Sequence, residues 1–200
     1  MADQSTLSTL AGLRRSPLAH LTDRMALSSR SDSVALAETA YAGMVSVRVD
    51  PASSAAARVA AVLGAPLPAA CGEVTSAGGH HALWLGPDEW LVVTDSDAVA
   101  LADQLEAAMG PESGLVLDVS ANRTILQLTG PRARGVLEKG CPVDLHPRAF
   151  GSGRAVSTTL ARVPVLLWQT GETSYRLLPR SSFADYVARW VLDAMVEFTG

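Results

Sequence analysis

The sequence predicts an α+β fold made of two similar units, and three observations support this. Residues 43–49 alternate apolar and polar side chains as a β-strand does, with Val45, Val47 and Val49 on one face. Two further apolar stretches, HALWL and WLVV, are separated by the tight turn GPDE and predict a β-hairpin. Segments with helical apolar stripes precede and follow this hairpin. The predicted order of the first unit is therefore β-α-β-β-α-β.

The first unit is predicted to span residues 43–120. Its first helix, SSAAARVAAVLG, is predicted to begin at Pro51, since a proline in the first helical turn has no N–H to lose, and to end at Gly64. Its second helix is DAVALADQLEAAM, and the segment GLVLDV then returns as a strand. The predicted apolar stripe of the second helix consists of Val99, Leu101, Leu105 and Met109.

The second unit, residues 121–200, repeats this order. TILQLTG predicts a strand, Pro131 opens the helix RARGVLEK as Pro51 does, and Gly140-Cys141-Pro142 matches Gly64-Ala65-Pro66. Strands follow around STTLARVPVLLWQ and SYRLLP, separated by the turn TGET. The last helix, SSFADYVARWVLDAM, is predicted to start on a serine cap. Its predicted inward-facing side chains are Phe183, Tyr186, Val187 and Trp190. We predict two ferredoxin-like modules related by a pseudo-two-fold axis.

Residues 1–42 show no strong periodicity and are rich in Ser, Thr, Ala and Arg. They predict an extended N-terminal arm that lies on a partner. The alternative is a frayed terminus, and the sequence does not separate the two.

Composition excludes several classes of function. A formal net charge of -4 argues against nucleic-acid binding, which needs a basic face. No stretch is long and apolar enough to predict a membrane span or a signal peptide. The two cysteines, Cys71 and Cys141, lie far apart with no CxxC spacing. Two buried, reduced thiols are the favoured interpretation, and one disulfide is the alternative. The sequence predicts a cytoplasmic protein.

Two polar motifs resemble catalytic groups. Asp118 and Ser120 lie at a junction between strands, where such residues usually bond nearby backbone; the alternative makes Asp118 a general base. Cys141 with His146 as its base suggests a hydrolase, but the residue that matches Cys141 in the first unit is Ala65, which favours packing. We predict no catalytic residue in this chain.

Metal and nucleotide sites are also not predicted. His80 and His81 are adjacent on a strand and so point to opposite faces, while His20 and His146 lack a partner at zinc-ligand spacing. The loops SAGGHH and FGSGR lack the pattern of a nucleotide-binding loop. The four tryptophans, Trp84, Trp90, Trp168 and Trp190, are predicted to fill sheet faces, with an interface role as the alternative.

Two sets of residues are predicted to contact partner proteins. Asp144, His146 and Arg148 cluster on a proline-containing loop, a usual location for a binding surface, although a solvated connection is an equal alternative. Arg14 and Arg15 form a short basic pair in the predicted arm.

Several segments together resemble the gamma subunit of heterotetrameric sarcosine oxidase, from Ser16 to about Phe198. They are SPLAHL, LGPDEWLVV, DVSANRTILQLTGPRARGVLEKGCPVDLHPRAF, LARVPVLLWQT and YRLLPRSSFADYVARW. More distantly, the doubled unit resembles the folate-binding part of the aminomethyltransferase (T-protein) of the glycine cleavage system.

The resemblance implies a non-catalytic subunit in a complex with alpha, beta and delta subunits. Such a complex converts sarcosine and oxygen to glycine and hydrogen peroxide, and passes the one-carbon unit to tetrahydrofolate or releases formaldehyde. FAD, FMN, NAD and zinc are expected on the other subunits and no cofactor on this one. The alternative is a stand-alone folate-binding aminomethyltransferase-like enzyme, with a buried carboxylate near Arg123. No folate-binding residue is transferred to this sequence.

Overall fold

Two five-stranded antiparallel sheets pack face to face in the computed structural model, which describes residues 14–200. The α-helices of this range are α1 (Thr22–Ser28), α2 (Ser54–Leu63), α3 (Ala98–Met109), α4 (Ala133–Glu138) and α5 (Ala184–Thr199). The strands are β1 (Ala35–Thr39), β2 (Gly43–Val49), β3 (Val74–Ala77), β4 (His80–Gly86), β5 (Glu89–Thr94), β6 (Gly114–Asp118), β7 (Ile125–Thr129), β8 (Arg154–Leu160), β9 (Val163–Gly171) and β10 (Ser174–Pro179). The predicted α+β class is confirmed.

The first sheet has the strand order β3-β4-β5-β2-β6 and carries α2 and α3 on one face. Val45, Val47 and Val49 pack against these helices, whereas Met44 points to the opposite face, as the alternation in β2 predicted. The predicted hairpin is β4–β5. The sequence did not predict β3, a four-residue strand at the sheet edge without a fully buried residue. Its turn to β4 is Gly78-Gly79, both at positive φ, so SAGGHH is part of a hairpin.

The second sheet has the order β1-β7-β10-β9-β8 and packs against α1, α4 and α5. Its edge strand β1 comes from the N-terminal segment and pairs with β7 from Ala35↔Thr129 to Thr39↔Ile125. The structure thus corrects the prediction of an extended arm over residues 1–42, because residues 22–39 contain a helix and a strand of this sheet. Residues 1–13 of the predicted arm lie outside the described residues.

Three predicted helix starts also differ from the structure. The helix α2 begins at Ser54, where the Ser53 side chain accepts a hydrogen bond of 3.2 Å from the Ala56 N–H. Pro51 lies in the preceding turn rather than in the helix, and Pro131 likewise precedes α4. A 3-10 turn, Ser181–Phe183, leads into α5 in place of the predicted serine cap.

Three residues predicted to face the core are exposed instead. Val99 is 57% exposed, Phe183 42% and Tyr186 51%. Val99 lies in the first turn of α3, ahead of the buried stripe that begins at Leu101. Phe183 belongs to the 3-10 turn, and the Tyr186 hydroxyl donates to the Ala161 carbonyl at 3.3 Å.

A third cluster of buried side chains lies between the two sheets. Its members are Met44, Leu83, Leu91, Val93, Ile125, Ala155, Leu166, Trp168 and Leu178. Trp168 is buried here and Trp90 is buried between the first sheet and its helices, which confirms a core role for both. Trp84, directly opposite Trp90 in the β4–β5 register, is half-buried. The layers are therefore helix, sheet, sheet, helix.

Gly130 marks the point where the N-terminal segment crosses the end of β7. It has φ 113°, and a Cβ built there would lie 2.4 Å from the Ser33 carbonyl oxygen. We expect Gly130→Ala to lower the free energy of unfolding by roughly 2–5 kcal/mol, because backbone strain of about 1–3 kcal/mol adds to a backbone displacement of similar cost. Chemical denaturation of the full-length chain measures this loss.

Gly153 offers a matched control. It has φ 81° and nothing within 4 Å of a built Cβ, so Gly153→Ala carries the backbone strain alone, about 1–2 kcal/mol. Equal losses in the two variants would mean that the close crossing of Ser33 contributes nothing to stability.

Candidate functional site

An open groove of about 340 Å³ lies where the connection between the two units meets the N-terminal segment. We call it the joint groove. Six of its polar lining side chains are Arg14, Arg15, Tyr41, Asp118, Ser120 and Arg123. The sequence had singled out five of these six residues on separate grounds, and the fold brings them to one place.

The outer rim of the joint groove is basic. The Arg14 guanidinium lies 4.8 Å from the centre of the Tyr41 ring, and the Tyr41 hydroxyl donates to the Arg14 carbonyl at 2.8 Å. Arg15 is exposed beside it. Neither arginine forms an ion pair with a carboxylate in the part of the chain that the structure describes. This rim can therefore attract an acidic surface.

Asp118 and Ser120 act as turn residues at the end of β6. The Asp118 carboxylate accepts hydrogen bonds from the Ser120 N–H at 2.9 Å and from its hydroxyl at 2.5 Å. Ser120 Oγ in turn accepts from the Met44 N–H at 3.0 Å, which joins the end of β6 to β2. These contacts are those of the turn interpretation.

Arg123 and the residues beside it form the floor of the groove. Arg123 is half-buried and donates to the Leu178 carbonyl at 2.8 Å. Burial lowers the pKa of its guanidinium, and the charge of Arg180 lowers it further. Next to it, the Glu38 carboxylate accepts from Thr124 Oγ1 at 2.6 Å and from Ser16 Oγ at 2.5 Å. The floor thus ties the N-terminal segment to the second sheet.

The loop with Asp144, His146 and Arg148 lies elsewhere. All three residues are exposed, and the loop is held by buried Leu145 and Phe150. The Asp144 carboxylate accepts from the His146 N–H at 2.9 Å, and the His146 ring nitrogen Nδ1 accepts from the Arg148 N–H at 3.2 Å. Two of the three side chains thus hold the loop itself, while the Arg148 side chain is exposed to solvent.

The other candidate groups are engaged separately. Cys141 is half-buried and packs against the core of the second unit, whereas His146 bonds to its own loop. Cys71 is exposed, so the prediction that both thiols are buried is wrong for this residue. His20 Nε2 lies 2.6 Å from an oxygen of Asp185, whose pKa is lowered by hydrogen bonds from Arg189 and His20. His80 bonds to Thr94 and His81 to Ser76, each at 2.8 Å.

The described residues form neither a metal-ligand cluster nor a membrane-spanning helix. Residues 14–200 hold no group of three or more His, Cys, Asp or Glu side chains close enough to share a metal ion. None of the helices in this range has the length and hydropathy needed to cross a membrane.

Sequence reasoning missed a second concave site, which lies between the two sheets. His81 of β4, Trp168 of β9 and Arg176 of β10 line it, together with Ser76 of β3. These residues belong to four strands and span a hundred positions, so no local motif signals them. The one available signal is strand alternation, which predicts the sheet face on which each side chain lies but not which residues of the other sheet it meets.

Comparison with known proteins identifies the family. The family model described as "Sarcosine oxidase, gamma subunit family" matches residues 46–197. The chain is 51% identical over 195 residues to the sarcosine oxidase subunit gamma of Arthrobacter sp., an alignment that covers 97% of this chain and 96% of the relative. The chain belongs to the sarcosine oxidase gamma subunit family. The resemblance predicted from the sequence is thereby confirmed.

Solved structures agree with this membership. A chain of the heterotetrameric sarcosine oxidase from Corynebacterium sp. U-96, solved in complex with pyrrole 2-carboxylate, matches this gamma-family chain with a TM-score of 0.89 and 50% identity, over 94% of this chain and 97% of that chain. The aminomethyltransferase T of the glycine cleavage system from Bartonella henselae matches with a TM-score of 0.66 at 14% identity, over 88% of this chain and 56% of that chain. The second match shows a common fold alone.

Proposed function

We propose that this chain is the gamma subunit of a heterotetrameric sarcosine oxidase and that its role is structural rather than catalytic. The observation that carries the proposal is the near-complete match, 94% of this chain at TM-score 0.89, to a chain of such an enzyme. In the proposed complex, sarcosine and oxygen yield glycine and hydrogen peroxide, and the one-carbon unit goes to tetrahydrofolate or leaves as formaldehyde.

The proposed partners are the alpha, beta and delta subunits. FAD, FMN and NAD are assigned to the large subunits and zinc to delta, as the family resemblance implies, with none on this chain. The candidate catalytic groups support this assignment, because Asp118 is bonded within a turn and Cys141 packs against the core. The free thiols of Cys71 and Cys141 support a cytoplasmic location, where cysteines stay reduced.

The fold is proposed to consist of two ferredoxin-like modules related by a pseudo-two-fold axis. The supporting observation is that the strand orders β3-β4-β5-β2-β6 and β8-β9-β10-β7-β1 correspond strand by strand. The pairs α2 with α4 and α3 with α5 occupy matching chain positions. The modules are proposed to span residues 43–120 and 121–200, and β1 supplies the last strand of the second.

We propose that partner subunits contact the basic rim of the joint groove and the Asp144–Arg148 loop. Both surfaces are exposed, and they carry arginines that pair with no described carboxylate. Purification of the chain through a tag in its native host is expected to recover three further chains, two of them large, in yellow material with a flavin spectrum. A colourless single chain would contradict the subunit role, and its titration with folate would then test the stand-alone aminomethyltransferase alternative.

Charge reversal tests the contact surfaces within the same assay. The double variant Arg14→Glu/Arg15→Glu and the single variant Arg148→Glu are expected to weaken recovery of the partner chains at least about tenfold, because like charges across an interface cost several kcal/mol. Arg24→Glu, which reverses an exposed arginine on α1, serves as the charge-matched control for the single variant. Full recovery with both test variants would remove these surfaces from the interface.

A further inference from the structure

The concave site between the sheets, which we call the inter-sheet cleft, has a volume of about 240 Å³. Val74 and Ser76 of β3 and His81 of β4 line its first-sheet side, and Trp168 of β9 and Arg176 of β10 line its second-sheet side. Ligand pockets for drug-sized molecules have volumes of about 300–1,000 Å³. The cleft is therefore sized for a smaller molecule.

Arg176 is the charged group of the cleft. Its neighbours Tyr175 and Leu177 face the helices of the second unit, so alternation turns Arg176 toward the first sheet. Its guanidinium lies 4.9 Å from the centre of the Trp168 ring. Its Nε is buried and donates to no described group, and no carboxylate of residues 14–200 forms an ion pair with it. A buried donor of this kind is costly unless it gains a partner.

His81 shapes the cleft without adding charge. Its ring lies 5.0 Å from that of Trp168 at an interplanar angle of 56°, and its Nδ1 is 2.8 Å from Ser76 Oγ. Burial lowers the pKa of His81, and the charge of Arg176 lowers it further. Of the two smaller effects, Asp95 raises this pKa and His80 lowers it. The lowered pKa favours the neutral form of His81, so Arg176 is the charged group of the cleft.

We propose that the inter-sheet cleft binds a small monocarboxylate with a planar or apolar body. The two terminal nitrogens of a guanidinium pair with the two oxygens of a carboxylate in parallel hydrogen bonds. Trp168 and Val74 offer apolar surface for the body of the ligand, and Ser76 offers a hydroxyl. One cation matches a monoanion, whereas a phosphate ester with nearly two negative charges calls for further cations.

Calorimetry on the tag-purified complex tests this proposal. Benzoate is the probe, and benzamide is its uncharged counterpart of the same shape. Benzoate is expected to bind, benzamide not, and Arg176→Gln to weaken benzoate at least tenfold. Arg176→Lys, which keeps the charge but loses the planar fork, is expected to retain part of the affinity. The control Arg48→Gln removes an exposed arginine paired with Asp88 and is expected to bind as the unaltered protein does.

Carboxylate sites on other chains of the complex contribute equally to all variants, so the difference between the unaltered protein and Arg176→Gln isolates the cleft. A nuclear magnetic resonance shift of His81 on addition of benzoate gives an independent readout if Arg176→Gln fails to fold. Equal binding of benzoate and benzamide, an equal response to inorganic phosphate, or unchanged benzoate binding in both Arg176 variants would overturn the proposal. So would an acidic side chain of another subunit found in the cleft.

Discussion

Deletion of residues 1–42 is expected to unfold the second unit. The deleted segment carries five side chains that are at most 4% exposed, namely Leu18, Leu21, Met25, Val34 and Leu36. Burial of such a side chain contributes about 1.5–3 kcal/mol, so the five contribute roughly 7–15 kcal/mol. That range is comparable to the whole stability of a typical domain, about 5–15 kcal/mol. The deletion also removes β1 and leaves β7 as an unpaired edge.

Soluble yield and hydrogen exchange of the second unit measure the effect. The matched control is deletion of residues 1–13 alone, which keeps α1, β1 and all five of these buried side chains. This shorter chain is expected to retain the folded second sheet. A chain lacking residues 1–42 that exchanges as slowly as the full chain would show that α1 and β1 contribute little.

The N-terminal segment needs a test for partner contact that leaves the second sheet intact. Loss of assembly after deletion of residues 1–42 would follow from the broken second sheet, whatever the partners contact. The charge reversal at Arg14 and Arg15 leaves the buried side chains in place, since both arginines are exposed. It therefore separates a role in binding from a role in folding.

Trp90→Ala is expected to have the second largest effect, a loss of about 3–5 kcal/mol in the free energy of unfolding. Trp90 is 1% exposed and fills the space between the first sheet and its helices. Its indole N–H donates to the Pro68 carbonyl at 2.8 Å, a buried acceptor that loses its partner in the variant. The cavity and the unpaired carbonyl act in the same direction.

Urea denaturation followed by far-ultraviolet circular dichroism avoids the change in fluorescence that loss of a tryptophan brings. Trp84→Ala is the matched control, because Trp84 lies opposite Trp90 in the same hairpin but is only half-buried. We expect that control to lose about 1–2 kcal/mol. Similar losses in the two variants would mean that the burial of Trp90 does not determine its contribution to the free energy of unfolding.

The elements predicted correctly from the sequence are those whose signals are local. The hairpin β4–β5 follows from two apolar runs on either side of GPDE, and the buried stripe Leu101, Leu105 and Met109 follows from helical spacing. Gly64, predicted to end the first helix, is the left-handed C-cap of α2. Family membership followed in the same way from segments read along the chain, and the comparisons confirmed it.

The elements missed depend on partners that are distant in the chain. The strand β1 has only one buried side chain, Leu36, and it is a strand because β7 lies beside it some ninety positions later. Helical spacing predicted Phe183 and Tyr186 as core residues, yet both are exposed. Spacing identifies the side chains that share a face of a helix, but it does not show whether another element covers that face near the helix end.

The sequence by itself thus determined the α+β class, most of the strands and helices, and the family. The tertiary structure alone decided that the N-terminal segment completes the second sheet, that Arg14, Arg15, Asp118 and Arg123 share one groove, and that Arg176 faces His81 across the inter-sheet cleft. The physical reason is the range of the interactions. Backbone propensity and apolar spacing act between near neighbours, whereas strand pairing and sheet-to-sheet packing join residues that only the folded chain brings together.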